Sequence, residues 1–217
     1  MSVAQLTTIL GGTWTALQLT FFSISMGVIL AFLIAVMRLS KFKIANAIAW
    51  VYVWIIRGTP LLLQLLIVHF VVPIVYKSIT GDVFAIPMFV SALIAFTMNT
   101  AAYVSEVIRA GIESIDKGQF EAAKALGMNR FQAMTRVIIP QTIKRLIPPF
   151  ANEFTTLLKD TSICTVIGMP ELMKVSRQFA ASGNWLFYFY AGAIYLLLTT
   201  LATILFQKLE KIAGKYE

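Results

Sequence analysis

Residues 13–37 read TWTALQLTFFSISMGVILAFLIAVM, twenty-five positions without a charge. Crossing the hydrocarbon of a bilayer, about 30 Å, takes roughly 20 apolar residues at about 1.5 Å of helix rise each. This stretch therefore spans a membrane with length to spare. No basic region precedes it and no small-residue cleavage site follows, so it reads as a retained span and not a removable leader. Trp14 suits an interfacial anchor at its start.

Working outward, the charge-free interval runs from Met1 to Met37, and three more follow: Gly58 to Tyr76, Val83 to Ser105 and Gly183 to Gln207. Leu146 to about Ile167 is a weaker fifth candidate that holds Glu153, Lys159 and Asp160. It begins near Pro148 and Pro149, a pair that suits the first turn of a helix. With 217 residues, 59% hydrophobic and 13% charged, and a mean hydropathy of +0.80, the chain has more apolar surface than an ordinary soluble core would hide. The expected fold is all-α and integral to the membrane, a single domain with about five transmembrane helices near 13–37, 45–76, 87–109, 143–165 and 185–207. Ile44 to Tyr76 would be about 50 Å long as one helix, more than the bilayer needs, and Arg57-Gly58-Thr59-Pro60 is the natural bend.

Charge sets the orientation. Thirteen basic residues fall on one side: Arg38, Lys41 and Lys43, seven from Arg109 to Arg145, then Lys208, Lys211 and Lys215. Lys77, Lys159, Lys174 and Arg177 fall on the other. The positive-inside rule then places the C-terminus in the cytoplasm and the N-terminus outside, which demands an odd number of spans. The net charge of +8 belongs to this asymmetry and does not imply a nucleic-acid partner. On the outer side, Met169-Pro170-Glu171 reads as a helix start, and Leu172, Val175 and Phe179 give an apolar stripe that predicts an amphipathic segment against the membrane's outer face. Cys164, alone in the chain, cannot form an internal disulfide. His69 has no metal-type side chain three or four residues away and reads as a helix-packing residue, so no metal site is expected.

Between the third and fourth spans lies a polar, alanine-rich platform, 112–140, with EAAKALGMNRFQAMTRVIIP at 121–140. Asp116 with Gln119 fits a capping box, and Gly127 suits a left-handed helix end, predicting a helix over 117–126. Asn129 with Gln132 repeats the start signal, and Pro140 marks the next boundary. Ala122, Ala123 and Ala125 would let another backbone approach closely, while Phe131, Met134 and Ile138 suit packing on the protein itself. No G-x-x-x-x-G-K-[ST] motif is present, so any nucleotide-driven engine must be another chain.

Glu121-Ala122-Ala123, Gly127, Val137 and Ile139-Pro140 resemble the EAA signature of permease subunits in bacterial ABC importers. Gly12 to Leu19, Arg57 to Leu62, Ala102-Tyr103 through Ile112, Asn152-Glu153-Phe154 and Leu158 to Ser162 extend the resemblance over nearly the whole chain, toward the polar amino acid uptake branch (histidine, glutamine, arginine or glutamate type). The usual signature has isoleucine and leucine where Val137 and Ile139 stand. The resemblance implies a type I ABC importer permease (MetI-like) fold with a cytoplasmic coupling helix, in the bacterial inner membrane. It implies two ATP-binding subunits that hold ATP and Mg, a second permease copy or paralogue forming a homo- or heterodimer, and an extracytoplasmic solute-binding protein. The chain itself would be non-catalytic and carry no cofactor. Glu121, Ala122, Ala123 and Gly127 would then form the ATPase-coupling site, a stiff helix seated in a cleft of the motor.

Ionisable groups at membrane depth are costly and suggest a pathway. Asn99, Tyr103 and Glu106 share one helix face, as do Glu153, Thr156 and Asp160. A zwitterionic amino acid needs an anion for its ammonium and donors for its carboxylate, so Asn99, Tyr103, Glu153, Thr156 and Lys159 are expected to line the substrate path, with arginine, lysine, histidine or glutamine as candidate cargo. Structural roles compete: an ion pair for Glu153 and Lys159, an interhelical hydrogen bond for Asn99. Arg57 has two open fates, snorkelling to a headgroup or pairing with Glu106. A secondary transporter or channel subunit is the alternative function, but it has no use for a docking platform. An intramembrane enzyme is disfavoured because Ser25, Ser91 and Ser105 lack a G-x-S-x-G setting and His69 has no evident carboxylate partner.

Overall fold

The computed structural model describes residues 2–214, so Lys215, counted above among the cytoplasmic cations, lies outside the described residues. Those residues form helices and no strand. Helix α1, Val3–Arg38, begins earlier than the hydropathy pattern suggests, because Ser2 and Gln5 form a reciprocal capping box. Helix α2, Lys43–Gly58, ends where Thr59 turns extended ahead of Pro60, and α3, Leu61–Thr80, starts there. The bend thus falls where residue-before-proline sterics put it. Helix α4 is Met88–Glu113, and the platform holds α5, Lys117–Ala125. Helix α6, 130–160, is followed by a 3₁₀ stretch, Thr161–Ile167, then by α7, Leu172–Ala181, and α8, Leu186–Gly214.

Three prolines, Pro140, Pro148 and Pro149, behave differently from the expectation. Pro140 does not end the second platform helix: Arg130–Ala133 passes through a π turn, Met134–Ile138, into Ile139–Asp160. A second π turn, Ile67–Val71, stands just before Pro73. In both, the wider turn carries the helix past a residue that cannot donate a hydrogen bond and whose ring crowds the carbonyl four positions back. Pro148 and Pro149 likewise sit inside α6 and not at its start.

Helices α1, α3, α4 and α8 are long and apolar enough to cross a membrane. The packing is tightest where side chains are smallest. Helix α1 makes its most extensive contact with α4, and a Cβ on Gly27 would sit 2.7 Å from the Thr100 methyl. One core joins Leu19, Leu65, Phe96, Leu157 and Met169; another joins Ile9, Leu172, Val175 and Phe187. The expected apolar stripe of α7 therefore packs on α1 and α8, with Phe179 beside that second core. At its start the Glu171 carboxylate, wholly buried, accepts from the Met173 and Lys174 amides, Thr165 Oγ1 and Tyr195 OH at 2.7–3.1 Å. Four donors account for a charge that would otherwise be prohibitive inside the fold.

Gly12 holds α1 against that turn: a Cβ there would lie 2.9 Å from the Glu171 carbonyl carbon, backbone that cannot rotate away. Gly12→Ala is expected to cost about 1–3 kcal/mol as an overpacked contact, despite alanine's better helix propensity. Thermal unfolding of the purified protein checks this, and a variant as stable as wild type would refute the close approach.

Candidate functional site

The platform is built to be stiff. The Asp116 carboxylate caps α5 by accepting from the Gly118 amide at 2.6 Å, but Gln119 does not complete the expected box. Gln141 on α6 donates to the Gln119 side chain at 3.0 Å instead, tying the two helices together. At the other end Gly127 takes φ +76°, its amide donates to the Lys124 carbonyl, and the Met128 amide donates to that of Ala123. That is the left-handed closure glycine permits. Asn129 and Gln132 form the full reciprocal box, both bonds at 2.9 Å. Arg145 reaches from α6 to the Ser114 carbonyl at 2.6 Å, bracing the base of the platform.

The faces of the platform differ from the expectation in two places. Ala123 is 2% exposed and turns inward, so it seats α5 on the protein; Glu121 and Ala122 face out. Phe131 is 75% exposed rather than packed on the protein, and Leu126 is 78% exposed, while Ile138 is buried as expected. The outer surface of the platform is thus more apolar than its alanines alone implied. Beside it lies a groove of about 560 Å³ lined by Phe120, Glu121, Lys124, Met128 and Arg130.

At membrane depth the structure separates residues the sequence grouped. Asn99, 8% exposed, donates to Gln64 at 3.1 Å. Gln64 in turn donates to the Ile56 carbonyl at 2.8 Å and to Thr59 Oγ1 at 2.9 Å. Asn99 therefore braces the α2–α3 break. Gln64 escaped the sequence reading, although a lone amide inside LLLQLL was its signal. Glu106 is held by Arg38 at 3.1 Å and Arg109 at 2.8 Å, which removes it as a partner for Arg57. Arg57 instead sits over the Tyr103 ring, 5.0 Å from its centre, a cation–π geometry.

Tyr103 and Arg57 line a cleft of about 400 Å³ with Trp50, Trp54, Arg38 and Glu106, and the two indoles stack at 5.9 Å. Glu153 on α6 is half-buried; Asp160 is the stronger charge acting on it and Arg57 the weaker, and it forms no ion pair among the described residues. Of the five expected path residues, then, Tyr103 lines this cleft, and Glu153 stands on α6 outside its lining. Thr156 is half-buried on α6, Lys159 is exposed beside Asp160, and Asn99 belongs to the hinge network. His69 shares a hydrogen bond with Ser91 at 2.9 Å, as a packing residue would.

Residues 23–211 match the family described as binding-protein-dependent transport system inner membrane component. The arginine transport system permease protein of Bacillus subtilis is 39% identical over 97% of this chain and 94% of its own. The putative glutamine transport system permease protein of Rickettsia felis is 36% identical over 94% and 91%. Among solved structures, an amino acid ABC transporter with histidines superposes with a TM-score of 0.87 at 36% identity, covering 96% of this chain and 95% of its own. The MetNI methionine ABC transporter in an inward-facing conformation, 20% identical, has a TM-score of 0.79 over 99% and 100% and shares the fold.

Proposed function

The chain belongs to the family of binding-protein-dependent transport system inner membrane components and is a permease subunit of an amino acid ABC importer, and on that premise we propose how its parts carry out import. It resides in the bacterial inner membrane, works with an ATPase and a solute-binding protein, and hydrolyses no ATP itself. Two such chains, identical or paralogous, pair in the membrane, with two ATPases below and the binding protein outside. The ATPases hold the ATP and Mg, and this chain needs no cofactor. The N-terminus lies outside and α6 serves as the fifth span.

The observation that carries this reading is the platform: α5 is capped at both ends and pinned to α6 by Gln141, Arg145 braces its base at Ser114, and Glu121, Ala122 and Leu126 face outward beside Phe131 of α6. Such a body moves as a unit, so closure of the ATPases becomes displacement of α4 and α6. For the cargo, Arg57 over the Tyr103 ring supplies a cation for an α-carboxylate, and Glu153, on α6 within electrostatic reach of Arg57, supplies a carboxylate for an ammonium. Polar amino acids of the arginine, lysine, histidine or glutamine type fit best, with Tyr103, Thr156 and Lys159 along the path and Asn99 setting its hinge.

The test is the ATPase rate of the full complex in liposomes, with binding protein and a panel of amino acids. Stimulation by one or a few polar amino acids is expected. A rate indifferent to every amino acid, or uptake that persists on an ion gradient without the ATPase, would favour a secondary transporter or channel instead.

A further inference from the structure

At the end of the bundle that carries the platform, α1, α4 and α6 part to leave an apolar crevice of about 650 Å³. It continues through Ile108, Ile143 and Leu146 into a second one of about 500 Å³ that reaches Phe206 on α8. The charged residues on the first wall are Lys41, in the turn after α1, and Arg130, the first residue of α6; no carboxylate lines it. Both cations are exposed, and neither has an ion-pair or hydrogen-bond partner among the described residues. An occupant that suits this wall is apolar over most of its length and anionic at one end.

We infer that the crevice seats one acidic phospholipid of the cytoplasmic leaflet, its phosphate between Lys41 and Arg130 and an acyl chain along Ile108, Ile143 and Leu146. That leaflet is rich in anionic lipid, and basic clefts between helices at its level attract such headgroups. Because Arg130 follows the platform helix and Lys41 follows α1, the bound lipid ties the base of the coupling element to the first span. Its leaflet rests on the cytoplasmic placement of α5 proposed above; the identity of the cargo plays no part.

Native mass spectrometry of the assembled transporter, titrated in detergent with phosphatidylglycerol or phosphatidylcholine, tests the idea. Phosphatidylglycerol is expected to saturate at one tight site per permease chain. Lys41→Gln with Arg130→Gln should weaken that site about thirtyfold, and Lys41→Arg with Arg130→Lys should retain it. Ile143→Trp, at an exposed position, should block it with both cations intact. Equal retention of the two lipids, wild-type affinity in the glutamine variant, or loss of the site on assembly because the ATPase or second permease fills the crevice would each overturn the proposal. Failed solute transport does not alter these lipid counts, so the two readings fail separately.

Discussion

Replacing Ala122 with arginine is expected to release the ATPase from the complex and to reduce amino acid uptake by roughly a hundredfold or more, while the permease still inserts and folds. Ala122 lies on the outward face of α5, whereas its neighbour Ala123 is 2% exposed, so only the former can be enlarged without disturbing the permease. Forcing a long side chain into a closely packed interface costs about 1–3 kcal/mol, and burying its unpaired charge adds a comparable amount or more. At about 1.4 kcal/mol per tenfold in affinity, two or more decades follow. The measurement is the amount of ATPase co-purifying per permease chain, alongside uptake of radiolabelled amino acid. The platform is not the handle if the arginine variant keeps its ATPase and its uptake at wild-type levels. Leu126→Asp, 78% exposed on the same side, should behave alike, which separates interface loss from any peculiarity of position 122.

The platform was legible because its signals are local. A cap needs an acceptor within three residues, and a left-handed end needs glycine, so Asn129, Gln132 and Gly127 announce themselves in one dimension. Hydropathy likewise exposed α1, α3, α4 and α8. Proline was an uneven guide, right about the bend at Pro60 and wrong about an end at Pro140. Proline lacks an N–H donor and its ring crowds the carbonyl four positions back; the π turn ahead of Pro140 relieves both, so the boundary read there from sterics became a continuous helix. The facing of Phe131 was misread because a period of 3.6 says which residues share a face but not which face meets the protein. The polar partners are distant in sequence: Asn99 finds Gln64, Glu171 finds Tyr195, and Arg57 finds Tyr103. Asn99 and Arg57 showed themselves by their cost and Gln64 did not, and the partner in each case is chosen only when helices cross.

Arg57 on α2 and Glu153 on α6 decide whether these charges serve cargo or merely hold helices together. Glu153→Gln keeps the size of the side chain and removes its charge. If Glu153 receives the substrate ammonium, the loss of a charge-assisted hydrogen bond, about 1.5–3 kcal/mol, should reduce uptake by roughly tenfold to a hundredfold with the ATPase still bound. If its role is to neutralise Arg57, the same change leaves an uncompensated cation at membrane depth, and the complex itself should weaken. Combining it with Arg57→Gln separates the two. A structural pair predicts rescue, since both charges leave together; a path predicts that the double variant transports no better than either single one, because carboxylate and ammonium have each lost a partner. Uptake and thermal stability of the four proteins, read as a cycle, give the answer. Wild-type uptake by the glutamine variant, or recovery in the double variant, would remove Glu153 from the route.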